Sequence, residues 1–217
     1  MDRRIVVAVS LAVLIAASAY AQTTDFLELV KTGTPQQVQA ALNKGADLKA
    51  QDKDGHTALM CAATYNQNPG VITVLLKAGA DLKAQNKNGF TALICAGVNK
   101  NPEVITTLLK AGADLNAQNK MGDTVLIYAA GFAKNSEVIT TLLKAGADIK
   151  AVNEKGKTAL MNAAEWNTNP EVITILLKAG ADAKAKDKDG LRALEYAREN
   201  GDLKDTDAIP QLLKASH

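Results

Sequence analysis

Aromatic residues make up only 4% of this 217-residue chain: one Trp, four Tyr and three Phe. Set against 47% hydrophobic residues overall, that shortage excludes a large ring-filled core and favours many thin layers of Ala, Val, Ile and Leu. Serine is scarce too, and after residue 21 only Ser136 and Ser216 remain. Histidine is limited to His56 and His217, so a Ser/His/Asp nucleophile arrangement has almost nothing to draw on. No Cys/His cluster has metal spacing, and no Gly-rich loop precedes a helix to cradle a phosphate. The reading is therefore not an enzyme, with no cofactor and no metal. An excess of one charge sign is also missing, since 25 basic residues face 23 acidic ones for a net charge of +2. Without a basic stripe, nucleic acid is not an expected partner.

Only two cysteines occur, Cys61 and Cys95, in the same slot of neighbouring repeats. Packed helices lie roughly 8–10 Å apart, whereas bridged Cα atoms lie within ~7 Å, so the spacing predicts two buried thiols rather than a disulfide. Long apolar runs are confined to the start. Met1–Arg4 is basic, Ile5–Ala17 is almost unbroken hydrophobic sequence, and Ala19-Tyr20-Ala21 has the small-x-small form of a cleavage site. The run is shorter than the ~20 residues that span a bilayer, so residues 1–21 read as a secretory signal peptide cleaved after Ala21. No membrane span is expected after cleavage. Without Arg3, Arg4 and Asp2 the balance becomes 23 basic to 22 acidic residues, or +1.

What the chain has in abundance is repetition. Asn101–Asn116, NPEVITTLLKAGADLN, returns as Asn68–Lys83, Asn135–Lys150 and Asn169–Lys184, with a diverged copy at Thr34–Lys49. Gly45, Gly79, Gly112, Gly146 and Gly180 are spaced 34, 33, 34 and 34 residues apart, the signature of a stacked array. Each copy predicts a helix with both ends marked. Asn101 caps the free N–H groups, Pro102 suits the first position, and Glu103 meets the positive end of the dipole. Val104, Ile105, Leu108 and Leu109 form one stripe, and Gly112 takes the left-handed stop.

Upstream of each such helix stands a polar turn: DKDG at Asp52, NKNG at Asn86, NKMG at Asn119 and NEKG at Asn153. A calcium loop is excluded for Asp52-Lys53-Asp54-Gly55 and Asp187-Lys188-Asp189-Gly190, because glycine comes fourth and Ala63 and Arg198 occupy the twelfth position. After the turns, Thr57, Thr91, Thr124 and Thr158 cap a short first helix ending in small residues such as Ala62-Ala63. The pattern D-x-x-G-x-T-A-L-M-x-A-A … N-P-E-V-I-x-x-L-L-K-A-G-A-D resembles the ankyrin repeat over nearly all of residues 22–217. The resemblance implies an all-α repeat solenoid: paired antiparallel helices with projecting β-hairpin loops, about six repeats including caps. The expected units are an N-terminal cap at 22–51, full repeats at 52–85, 86–118, 119–152 and 153–186, and a C-terminal cap at 187–217. The family's Thr-Pro-Leu-His tetrapeptide is altered, with Met60, Ile94, Ile127 and Met161 in place of histidine. Its inter-repeat hydrogen bonds should therefore give way to apolar packing.

Between the two helices of each unit, Asn66, Asn99 and Asn167 are expected to adopt the left-handed conformation that ends the first helix. The residues before Asn66, Asn99, Ala133 and Asn167 are Tyr65, Val98, Phe132 and Trp166, so three aromatics occupy one repeat-equivalent slot in a row along one side. Two readings of it stand: rings stacked on the neighbouring repeat to anchor the loop, or hot spots for a partner. The resemblance implies partner binding by hairpin tips and first helices, where His56, Phe90 and Met121 would extend such a surface. Lys53, Lys87, Lys120, Lys155 and Lys188 mark the tips. The whole reads as a monomeric, exported bacterial protein of the periplasm, or one secreted further, that binds a protein partner. A secreted effector acting on a host protein and an envelope scaffold or protective protein are the alternatives.

Overall fold

The computed structural model describes residues 25–216. The leader segment at 1–21 lies outside the described residues, as does His217. The first helix of each unit is α1 (25–32), α3 (Ala58–Tyr65), α5 (Ala92–Ala96), α7 (Val125–Phe132), α9 (Ala159–Trp166) or α11 (Ala193–Glu199). Its antiparallel partner is α2 (Pro35–Asn43), α4 (Pro69–Lys77), α6 (Glu103–Lys110), α8 (Glu137–Lys144), α10 (Pro170–Lys178) or α12 (Ala208–Ala215). First helices pack on first helices and second on second, giving two layers with one continuous core.

The two layers divide the hydrophobic work differently. Second helices are amphipathic, and Val104, Ile105 and Leu108 of α6 are wholly buried, as are their counterparts in α4, α8 and α10. Leu109 lies only half-buried at the edge of that stripe. First helices sit between two neighbours and the second layer, so they are buried nearly all round; Ala58 through Ala63 are all buried. A helix enclosed on every side tolerates few large residues, which explains the alanines. Met60, Ile94, Ile127 and Met161 are buried in this layer, so apolar packing does replace the expected histidine.

The end signals operate as expected, with small shifts. Thr57, Thr91, Thr124 and Thr158 each accept the N–H three residues on, at 3.3 to 3.4 Å. Asn68 and Asn169 cap α4 and α10 with proline in the first turn. In α6 the helix begins one residue later, yet Asn101 Oδ1 still accepts the Glu103 N–H at 2.9 Å. Asp207 makes no side-chain cap on α12; Thr206 Oγ1 accepts the Ala208 N–H instead. Gly112 has φ +93°, the predicted left-handed stop.

The projecting loops differ from the expectation of β-hairpins. Among the described residues they are tight turns with two isolated bridges, Gln51 to Thr57 and Val152 to Thr158, and no strands. Asp52, Asn86, Asn119, Asn153 and Asp187 each fold their turn by accepting two backbone N–H groups on Oδ1, from the residues two and four positions on. Successive turns are then tied tip to tip: the N–H groups of Lys87, Lys120, Glu154 and Lys188 donate to the carbonyls of Asp54, Asn88, Met121 and Lys155.

The largest correction concerns the inter-helix asparagines. Among the described residues none other than glycine has positive φ, and Asn66 and Asn167 are extended at φ −81°. Their side chains are turned inward to the preceding repeat. Asn99 Nδ2 donates to the carbonyls of Ala63 and Asn66, at 2.8 and 3.0 Å, while its Oδ1 accepts the Asn101 N–H at 2.9 Å. Asn66, Asn167 and Asn200 repeat this arrangement. Burying an amide is favourable only when its hydrogen bonds are met, and here both ends are. These rungs, and not the aromatic row, hold the loops. Ala133 breaks the series.

Candidate functional site

The turns and the first-helix layer enclose a groove on one face of the array. Its first part, about 350 Å³, lies between the turns at Asp52 and Asn86 and helices α3, α5 and α7. His56, Tyr65, Phe90 and Val98 all line it. A second part, about 270 Å³, carries Met121, Phe132 and Trp166 beside Lys157 and Glu165. All seven residues singled out from the sequence thus border the same face. Tyr65 (61%), Trp166 (56%), Met121 (55%) and Phe132 (44%) are exposed, whereas His56, Phe90 and Val98 are half-buried.

The aromatic row takes a different course from the equivalent-slot ladder. Val98 separates Tyr65 from the rest, and the continuous chain runs Phe90, Tyr128, Phe132, Trp166, with ring centroids 4.9, 5.1 and 6.4 Å apart. Phe132 and Trp166 are stacked across a repeat boundary, and Phe90 meets Tyr128 edge-on across another. The rings pack on one another across the repeats, yet Phe132 and Trp166 keep about half their surface in solvent. Tyr128 is the member that sequence reasoning missed. It shares the column of Cys61, Cys95, Asn162 and Tyr196, and its place four residues before Phe132 on one helix face was the available signal. Burial, with Cys95 and Asp123 nearby, raises the Tyr128 phenol above its ordinary value.

His56 bridges two units as well as lining the groove. Asn86 Oδ1 is committed to the N–H groups of Asn88 and Phe90, which turns Asn86 Nδ2 toward His56 Nε2 at 2.9 Å. Nε2 therefore accepts, and Nδ1–H donates to Asp52 at 3.0 Å. In the equivalent position Asp123 accepts from Asn153 Nδ2 at 2.8 Å, and Lys157 pairs with Glu165 and lies over the Tyr196 ring at 4.1 Å. Asp52, Asp54 and His56 bring ligand-type atoms within 4.8 Å of one another. The Asp52 carboxylate already takes two backbone N–H groups and the imidazole, which is turn chemistry.

Cys61 and Cys95 are free and buried, as the spacing predicts, although both form part of the groove wall. Burial pushes their thiols up to about 11 and about 12. Native protein titrated with a disulfide reagent at pH 8 should therefore show no fast-reacting thiol, and two after unfolding in guanidinium. A fast native thiol, or fewer than two after unfolding without reductant, would contradict this picture.

The family model described as Ankyrin repeats (3 copies) matches residues 26–119 and 126–216, and one described as Ankyrin repeats (many copies) matches residues 96–143. A search of curated proteins returns no match. Ankyrin repeats generally mediate protein–protein interaction and are typically not enzymes. With two helical layers in register, turns tied tip to tip and matches over most of its length, this chain belongs to the ankyrin-repeat family.

Proposed function

We propose that this protein is an exported, non-enzymatic binding module that holds a protein partner in the groove between its turns and first helices, and that it acts as a monomer in the periplasm of a bacterium. The observation that carries the binding site is the run of rings from Phe90 through Tyr128 and Phe132 to Trp166, with Tyr65 and Met121 exposed on the same face. Large apolar side chains gathered on one side of an otherwise polar surface mark interaction sites, and aromatic side chains dominate their energetics. The export reading rests on residues 1–21, and mass spectrometry of the periplasmic fraction should find a chain beginning at Gln22.

The binding test uses immobilised protein in an envelope extract. Trp166→Ala and Phe132→Ala should each weaken capture of the partner by about 2 kcal/mol, on the order of 30-fold, with Tyr65→Ala somewhat less affected. Circular dichroism should show all three still folded, since these rings are outside the core. Equal capture by all three folded variants would sink the reading.

A further inference from the structure

The first part of the groove is chemically unlike the second. Its turn carries two carboxylates, Asp52 and Asp54, where the next turn has Asn86 and Asn88 in the same places. The imidazole of His56 carries no charge in the tautomer that satisfies both Asp52 and Asn86. Lys31, the remaining charged residue of the lining, is tied to Glu28 at 2.6 Å, so that pair cancels. The lining is left with two negative charges facing the rings of Tyr65, Phe90 and Tyr128. Among the described residues the Tyr128 hydroxyl has no hydrogen-bond partner, unlike that of Tyr196, which donates to Asp187. Lys31 Nζ stands 5.4 Å from the Tyr65 ring centre, so this wall already holds one cation against an aromatic face.

We propose that this part of the groove receives an arginine side chain of the protein partner, an assignment that rests on the protein-binding reading above. A guanidinium fits the chemistry on each side. Its plane stacks on aromatic rings, its forked N–H groups meet carboxylates in pairs, and it is less strongly hydrated than an ammonium, so it enters a half-enclosed groove more readily. The Tyr128 hydroxyl supplies a further acceptor. The second part of the groove, where Lys157 meets Glu165 beside the Phe132–Trp166 stack, takes the apolar portion of the same segment.

The array itself provides a control. Asp52→Asn with Asp54→Asn gives the turn at residues 52–55 the composition of Asn86-Lys87-Asn88-Gly89, which folds in the same way through the amide oxygen of Asn86. Isotope-labelled protein would be titrated with N-acetyl-arginine amide, its neutral isostere N-acetyl-citrulline amide, N-acetyl-lysine amide and calcium chloride, following backbone amide shifts of Asp54, His56 and Phe90. Arginine amide should shift these signals with millimolar affinity, and the D52N/D54N variant should bind it about tenfold more weakly, as should wild type bind citrulline amide. Equal binding of citrulline or lysine amide, an unchanged affinity in the folded double variant, or tighter binding of calcium at the same signals would each overturn the proposal. Partner capture separates the two levels. A partner lost by Trp166→Ala but fully retained by D52N/D54N leaves the binding module standing and removes the arginine. Failure to capture any partner bears on the module alone, and the titration still decides the pocket.

Discussion

Asn99→Ala should lower the stability of the array by about 3 kcal/mol in equilibrium urea unfolding. The side chain is 1% exposed and makes three hydrogen bonds that span the junction between two repeats and shape its own loop. Alanine leaves the carbonyls of Ala63 and Asn66 and the N–H of Asn101 short of a partner, and an orphaned buried group costs about 1–3 kcal/mol. Because a solenoid is held by nearest-neighbour interfaces, the loss should also broaden the transition as the repeats on either side uncouple. Ala133 offers the reverse experiment. Its backbone, at φ −66° and ψ 128°, is close to that of Asn66 at −81° and 123°, yet it supplies no rung. Ala133→Asn should therefore add about 1 kcal/mol, one net buried hydrogen bond. A neutral Asn99→Ala, or a destabilising Ala133→Asn, would show that the rungs are not the inter-repeat fastening.

Gly122→Ala should be about as damaging, at about 3 kcal/mol, for a different reason. Gly122 has φ +78°, and a Cβ there would lie 2.7 Å from the backbone nitrogen of Glu154 in the next turn. That N–H donates to the Met121 carbonyl at 2.9 Å, so a methyl group would push apart one of the tip-to-tip bonds. The backbone conformation alone costs about 1–2 kcal/mol for a residue with a side chain, and displacement of the neighbouring turn adds to it. Gly112→Ala isolates the first contribution. With φ +93° and nothing within 4 Å of the added carbon, it should cost only about 1 kcal/mol. Urea unfolding of the two variants side by side checks the order, and a larger loss at Gly112 would refute the steric argument.

These variants mark where the sequence was legible and where it was not. Thr57 as a cap, Pro69 in a first turn and Gly112 as a stop act within a few residues, so their roles follow from local geometry. The Val104, Ile105 and Leu108 stripe is equally local, because helical periodicity alone puts these residues on one face. Asn99 was misread because its local signal, a polar residue after a helix, is the same for a left-handed stop and for a side chain that reaches backward to the preceding repeat. Only the position of Ala63 and Asn66, 36 and 33 residues earlier, distinguishes them. The candidate interface shows the same division. Tyr65, Phe132 and Trp166 were identifiable as variable residues in a constant frame, but the route of the aromatic chain through Phe90 and Tyr128 depends on how far apart neighbouring repeats stack.

The sequence by itself determined the repeat, its period, the helix ends and the two-layer solenoid, since each follows from short-range capping and burial patterns copied along the chain. The tertiary structure alone decided what fastens one repeat to the next and which side chains share a groove. Those contacts join residues one full period apart, and their distances depend on the stacking of whole units, a quantity that no single unit encodes.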